Sequence, residues 1–119
     1  MAIRIKRVYD PVEEADGLRV LVDRIWPRGI SKDAARLDSW ARSISPSDEL
    51  RRWYGHDPDK WNVFRERYFD ELDKKFEDVE QLIEILNGRE VTFVYSAKSA
   101  LNNALALKDY LVARHPELV

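Results

Sequence analysis

"VLVDRIWPRGISKD", residues 20–33, changes character between Val22 and Asp23. Three consecutive apolar residues, Val20, Leu21 and Val22, are the pattern of a strand covered on both faces, as in the buried strands of a parallel sheet. The chain then sets down Asp23, Arg24, Trp26, Pro27, Arg28 and Gly29 in a short loop before Ser31, a residue suited to capping a helix that "KDAA" can begin. A second stretch repeats the arrangement. "EVTFVYSA", residues 90–97, is the strongest strand pattern in the chain, and a polar loop with Lys98 leads from it to a helix expected to begin with Ser99 and to run through Leu101, Leu105 and Leu111 of the amphipathic "LNNALALKDYLVARH", ending before Pro116.

Strand, polar loop and helix, occurring twice, is the signature of an α/β fold. Other segments fit it. "IRIKRVY" alternates Ile3, Ile5 and Val8 with bases and reads as a half-exposed strand, "DPVEEADG" as a turn or short helical connection, and "SWARSISPS" as a short edge strand. Ser47 caps a helix over "DELRRWY" that Gly55 closes. Asp57 and Pro58 open another, whose Trp61, Phe64, Tyr68 and Leu72 recur at steps of three or four. Val79, Leu82, Ile83 and Leu86 extend that helix or form a second one, ended by Asn87 and Gly88. The expected architecture is one small α/β domain over residues 1–119, a mostly parallel sheet of about four strands flanked by helices in Rossmann-like layers.

Composition narrows the chemistry. At 119 residues one core suffices, since a domain of this size hides about two thirds of the surface its unfolded chain exposes. A net charge of −2, with both signs spread along the chain, argues against nucleic acid and against an anionic membrane surface. There is no cysteine, which excludes disulfides, thiolate catalysis and cysteine-ligated zinc. No apolar run reaches signal-peptide or membrane-spanning length, so a cytoplasmic location is expected. No glycine-rich phosphate loop, dinucleotide fingerprint, Ser-His-Asp elbow or metal signature is present, and neither cofactor nor metal is expected.

In open α/β sheets, ligands sit outside the carboxyl ends of the strands, where helix N-termini present free N–H groups. That rule selects the candidate ligand-binding residues: Arg24, Arg28, Ser31 and Lys32 from the first loop, with Tyr95, Lys98, Asn102 and Asn103 from the second. Asp23 is a candidate acid or base, or else the anchor of a neighbouring arginine. His56 is a candidate because imidazole changes charge near neutral pH, though a histidine beside a helix start commonly serves as a structural donor. In "HDPD" the carboxylates Asp57 and Asp59 suit the positive end of a helix better than a metal. Trp26 and Pro27 read as stiffeners of their loop, and Gly29 as a backbone-geometry residue.

Three segments carry a family likeness: "KRVYDPVEEADGLRVLVDRIWPRGISKD", "ELRRWYGHDPDKWNVFRERYFDEL" and "VYSAKSALNNALALKDYL". Together they resemble the YeaO-like family, a domain-of-unknown-function group (DUF488) whose members share V-D-R-x-W-P-R-G and Y-x-A-K motifs. The resemblance spans nearly the whole chain and implies a single α/β domain of about this length, with no established activity. Family members often carry a histidine between the Y-x-A-K lysine and the last helix. Here "KSALNNA" is shorter and places Asn102 and Asn103 there, which leaves a mechanism dependent on that histidine without its histidine.

The favoured expectation is a protein that binds a phosphorylated or carboxylated small molecule in a basic pocket at the strand ends, with catalysis left open. The alternative is a non-enzymatic protein-interaction or regulatory module using the Trp/Arg-rich loop, since Trp and Arg are favoured at interfaces.

Overall fold

Four strands, β1 (Ile3–Arg7), β2 (Leu18–Leu21), β3 (Ser39–Trp40) and β4 (Val91–Tyr95), form a sheet in the order β1-β4-β2-β3 with every neighbouring pair parallel. The computed structural model describes residues 3–118. Among the described residues, five α-helices accompany the sheet: α1 (Lys32–Ala35), α2 (Asp48–Tyr54), α3 (Trp61–Lys74), α4 (Phe76–Leu86) and α5 (Asn103–Arg114). The chain is thus the parallel α/β domain that the strand-loop-helix repeats imply, and none of its described helices is long and apolar enough to cross a membrane.

All five residues of β4 are buried because the strand is central, with β1 on one side and β2 on the other. Its alternate side chains go to different layers. Val91, Phe93 and Tyr95 join Ile3, Val20 and Val22 in the large core beneath α2 to α5, while Val94 packs with Val8 and Ala35 under α1 and the loop before it. On the aromatic stripe of α3, Phe64, Tyr68 and Leu72 are buried, and Trp61 is partly buried against them. In the last helical stretch Leu111 enters the core as its spacing suggests, but Leu101, which lies ahead of α5, and Leu105 are only partly buried, and Leu107 and Tyr110 carry the rest of the packed face.

Local chemistry sets most boundaries. Ser47 Oγ accepts from the Leu50 amide to cap α2, and Gly55 closes that helix in the left-handed conformation at φ 52°. Asp57 caps a single 3₁₀ turn, Pro58–Lys60, that runs directly into α3. Lys75 breaks the helical path between α3 and α4, making two helices from the continuous apolar pattern. β2 is shorter than expected. It leaves the regular ladder after Leu21, although the Val22 amide still reaches the Val94 carbonyl at 3.1 Å. Ser99 does not start the last helix. That place belongs to Asn102, whose Oδ1 accepts from the Leu105 amide at 3.0 Å.

Candidate functional site

Because β1, β4 and β2 run in parallel, their carboxyl ends emerge side by side, and the chain segments leaving them wall a cleft of about 830 Å³. Arg7 and Tyr9 come from β1, Asp23 to Arg28 from β2 and Ser96 to Lys98 from β4, while α2 and the residues around it supply the far wall with Arg51, Arg52 and Tyr54.

Asp23 joins two of these segments. One carboxylate oxygen accepts from both the amide and the hydroxyl of Ser96, at 2.9 and 2.7 Å, and the other accepts from Asn103 Nδ2 at 3.1 Å. Asn103 also donates to the Val22 carbonyl at 2.9 Å, so the start of α5 is tied to the end of β2. From the opposite side, Arg7 donates to the carbonyls of Ser96 and Ala97. The loop after β4 is therefore gripped by an acid on one flank and a guanidinium on the other, with Lys98 left exposed.

The Trp/Arg-rich loop after β2 is fixed by three aromatic donors aimed at backbone carbonyls. Tyr9 donates to Arg28, Trp26 to Ile30 and Trp40 to Asp23, at 2.8, 2.8 and 2.7 Å. Trp26 and Trp40 also meet edge to face, with ring centroids 5.5 Å apart. Pro27 is buried, and Gly29 turns the chain back at φ 75°. Outward of this frame stand Arg28, exposed, and Ile25, 63% exposed. Arg24 leans to Asp48 at 3.5 Å, and the same carboxylate oxygen accepts from Arg51 at 2.8 Å. Burial and the nearby Asp57 charge push the Tyr54 phenol up from its usual value, so it stays protonated and donates to the Leu101 carbonyl at 2.8 Å.

Of the residues selected from the sequence, Asp23, Arg24, Arg28, His56, Lys98 and Asn103 line the cleft. Four others do not. Ser31 caps α1 on the exposed surface, accepting from the Ala34 amide, and Lys32 is exposed in that helix's first turn. Tyr95 is buried in the large core. Asn102 is wholly buried and fully engaged, capping α5 while its amide donates to the Ser99 and Ala100 carbonyls. Arg7, Arg51 and Arg52 were missed. Arg7 reads as one base in an alternating strand until the β1–β4 pairing puts its end at the rim, and the arginines of α2 read as a solvated helix face.

A small parallel α/β domain with a cleft at its strand ends is the class that fold and site define. A family model described as "Inactive DUF488-N3 subclade" matches residues 2–117, and the chain belongs to that family. It is 45% identical over 112 residues to the "Uncharacterized protein YeaO" of Escherichia coli (strain K12), covering 93% of this chain and 97% of that protein. It is 46% identical over 116 residues to the "Uncharacterized protein Rv3073c" of Mycobacterium tuberculosis, covering 94% of this chain and 95% of the relative, and equally to the "Uncharacterized protein Mb3100c" of Mycobacterium bovis. No solved structure matches the chain.

The family description overturns the favoured expectation of a small-molecule anion site with catalysis left open, because the subclade is one described as inactive. The geometry agrees. The acid selected to move a proton, Asp23, spends both oxygens on loop anchoring, and Arg24 already faces a carboxylate of its own chain.

Proposed function

We propose that this protein is a cytoplasmic, non-enzymatic protein-interaction module that engages its partner through the Trp/Arg-rich loop. The observation that carries this reading is the loop's fastening: three aromatic donors hold its carbonyls while Ile25 and Arg28 face outward. An apolar side chain and a guanidinium presented on a frame that is already ordered lose little conformational entropy on association, which is the property that makes a surface residue effective in an interface. The neighbouring cleft supplies Arg24 and Lys98 around an apolar floor that includes Phe64 and Pro46.

The test is selection of peptides from a displayed random library by wild-type protein and by an Ile25→Asp, Arg28→Glu double variant. Both substituted residues are exposed, so circular dichroism and melting should match wild type. Wild type is expected to enrich a sequence family that the variant does not. Enrichment of nothing above background, or of the same peptides by both proteins, removes the proposal.

A further inference from the structure

A second groove, of about 400 Å³, lies beside the cleft and is lined by Arg24, Arg42, Ser43 and Lys75. Arg24 borders both. The basic lining therefore continues from Lys98 and Arg28 in the cleft, through Arg24, to Arg42 and Lys75 in the groove. The last two are held by uncharged partners: Lys75 donates to the Ser43 carbonyl at 2.8 Å, and the Arg42 guanidinium lies over the Trp40 ring at 5.2 Å. Among the described residues, neither has a carboxylate partner.

Arg24 faces Asp48. The Asp48 Oδ1 is shared between Arg24 and Arg51, and all three side chains are more than a third exposed, so water screens the pairs and makes them weak. The arrangement also leaves Arg51 Nε buried without a hydrogen-bond partner. A chain carboxylate thus pairs with Arg24, the residue that borders both the cleft and the groove.

We infer that cleft and groove form one track for an extended acidic peptide of a partner protein, its apolar residue seated against Ile25 and its carboxylates running over Arg24 to Arg42 and Lys75. Asp48 holds the place of one of those carboxylates. This rests on the interaction reading above and names the partner's chemistry. A peptide fits better than a nucleic acid because the tryptophan beside the groove is already engaged: Trp26 meets Trp40 edge to face and the Arg42 guanidinium lies over the Trp40 ring, where a base would have to stack.

Two fluorescein-labelled peptides test it by anisotropy at low salt, where exposed charges are least screened. The short one is Trp-Glu-Glu-Gly, and the long one adds two further Glu-Glu-Gly repeats. The long peptide is expected to bind about three- to tenfold more tightly, the gain from two exposed charge pairs. An Arg42→Gln, Lys75→Gln double variant should erase that gain while leaving the short peptide's affinity intact. Asp48→Asn, which frees two arginines, should tighten both peptides by about threefold, with a melting curve run alongside to show that α2 persists. If the short peptide binds in an Arg28-dependent way and the long one binds no better, the track is wrong and the interaction module stands. If neither peptide binds wild type, the acidic track falls, while the interaction module stands or falls by the library selection. Asp48→Asn without gain removes the role given to Asp48, and displacement of the long peptide by an equal concentration of oligothymidylate removes the preference for a peptide.

Discussion

At Asp23 a single carboxylate joins the end of β2 to Ser96 and Asn103, more than 70 positions away, rather than to a neighbouring arginine. An acid serves there because three donors converge on it and a carboxylate has acceptor sites for all of them. Asp23→Asn keeps the shape but replaces one acceptor with an NH₂ group that confronts a donor. We expect a loss of about 1–3 kcal/mol in urea unfolding, the cost of leaving part of a charged hydrogen-bond set unmade. The loops after β2 and β4 should also exchange their amides faster. An unchanged midpoint would mean that Arg7, bonded to the Ser96 and Ala97 carbonyls, holds the second loop by itself.

Among the elements, α5 depends on one buried side chain. Asn102 satisfies the Leu105 amide ahead of it and the Ser99 and Ala100 carbonyls behind it. Asn102→Ala should therefore cost about 2 kcal/mol, the top of the range for a helix cap, because water cannot replace those bonds at a position with no exposure. Thermal unfolding checks it, and a shift no larger than that of Ser31→Ala, an exposed cap, would contradict it. The same helix start marks how far the sequence could be read. Ser47 and Asp57 are legible as caps because each directly precedes a helical pattern, whereas Ser99 and Asn102 both satisfy the rule three residues apart. Tertiary burial decides between them, with Ser99 Oγ accepting from the Leu101 amide in the turn that leads in. The two central strands and their loops were legible from runs of apolar residues, and with them half of the cleft. The other half needed the β1–β4 pairing and the packing of α2, which are contacts between distant parts of the chain that no local pattern encodes.

At the scale of the whole molecule, the face of the sheet covered by α1 holds a buried charge cluster, and the pH dependence of stability should reflect it. Asp16 and Arg19 are each only 3% exposed. Arg19 donates to Asp16 at 2.6 Å and, through two other nitrogens, to the Ala35 carbonyl, so it stitches β2 to α1, while Lys6 from β1 reaches the other Asp16 oxygen at 2.7 Å. Burial alone would raise the Asp16 carboxyl, but hydrogen bonds from Lys6, the Glu13 amide and Arg19 outweigh it and hold the group below the usual carboxylate range. Lys6 is raised in turn by its bonds to Asp16 and Glu13. A carboxyl lowered in the folded state contributes stability that is complete above its unfolded value of about 4 and is lost as pH falls through the folded value. A raised lysine contributes stability that is complete below about 10.5 and is lost as pH rises through the folded value. Unfolding free energy should accordingly hold a plateau through neutral pH and decline at both ends. Asp16→Asn should destabilise the protein at pH 7 by about 3–5 kcal/mol, since Arg19 stays buried without its counter-charge. The variant should also lose less stability than wild type between about pH 5 and pH 2, because one of the carboxyls that must be protonated on acid unfolding is gone. What remains of the acid limb belongs in part to Asp73, whose carboxyl is lowered by the Tyr110 hydroxyl and Arg114. Urea titrations of both proteins across that range decide the matter. Parallel acid limbs would show that Asp16 is protonated at the same pH folded and unfolded, and that the cluster contributes geometry rather than charge.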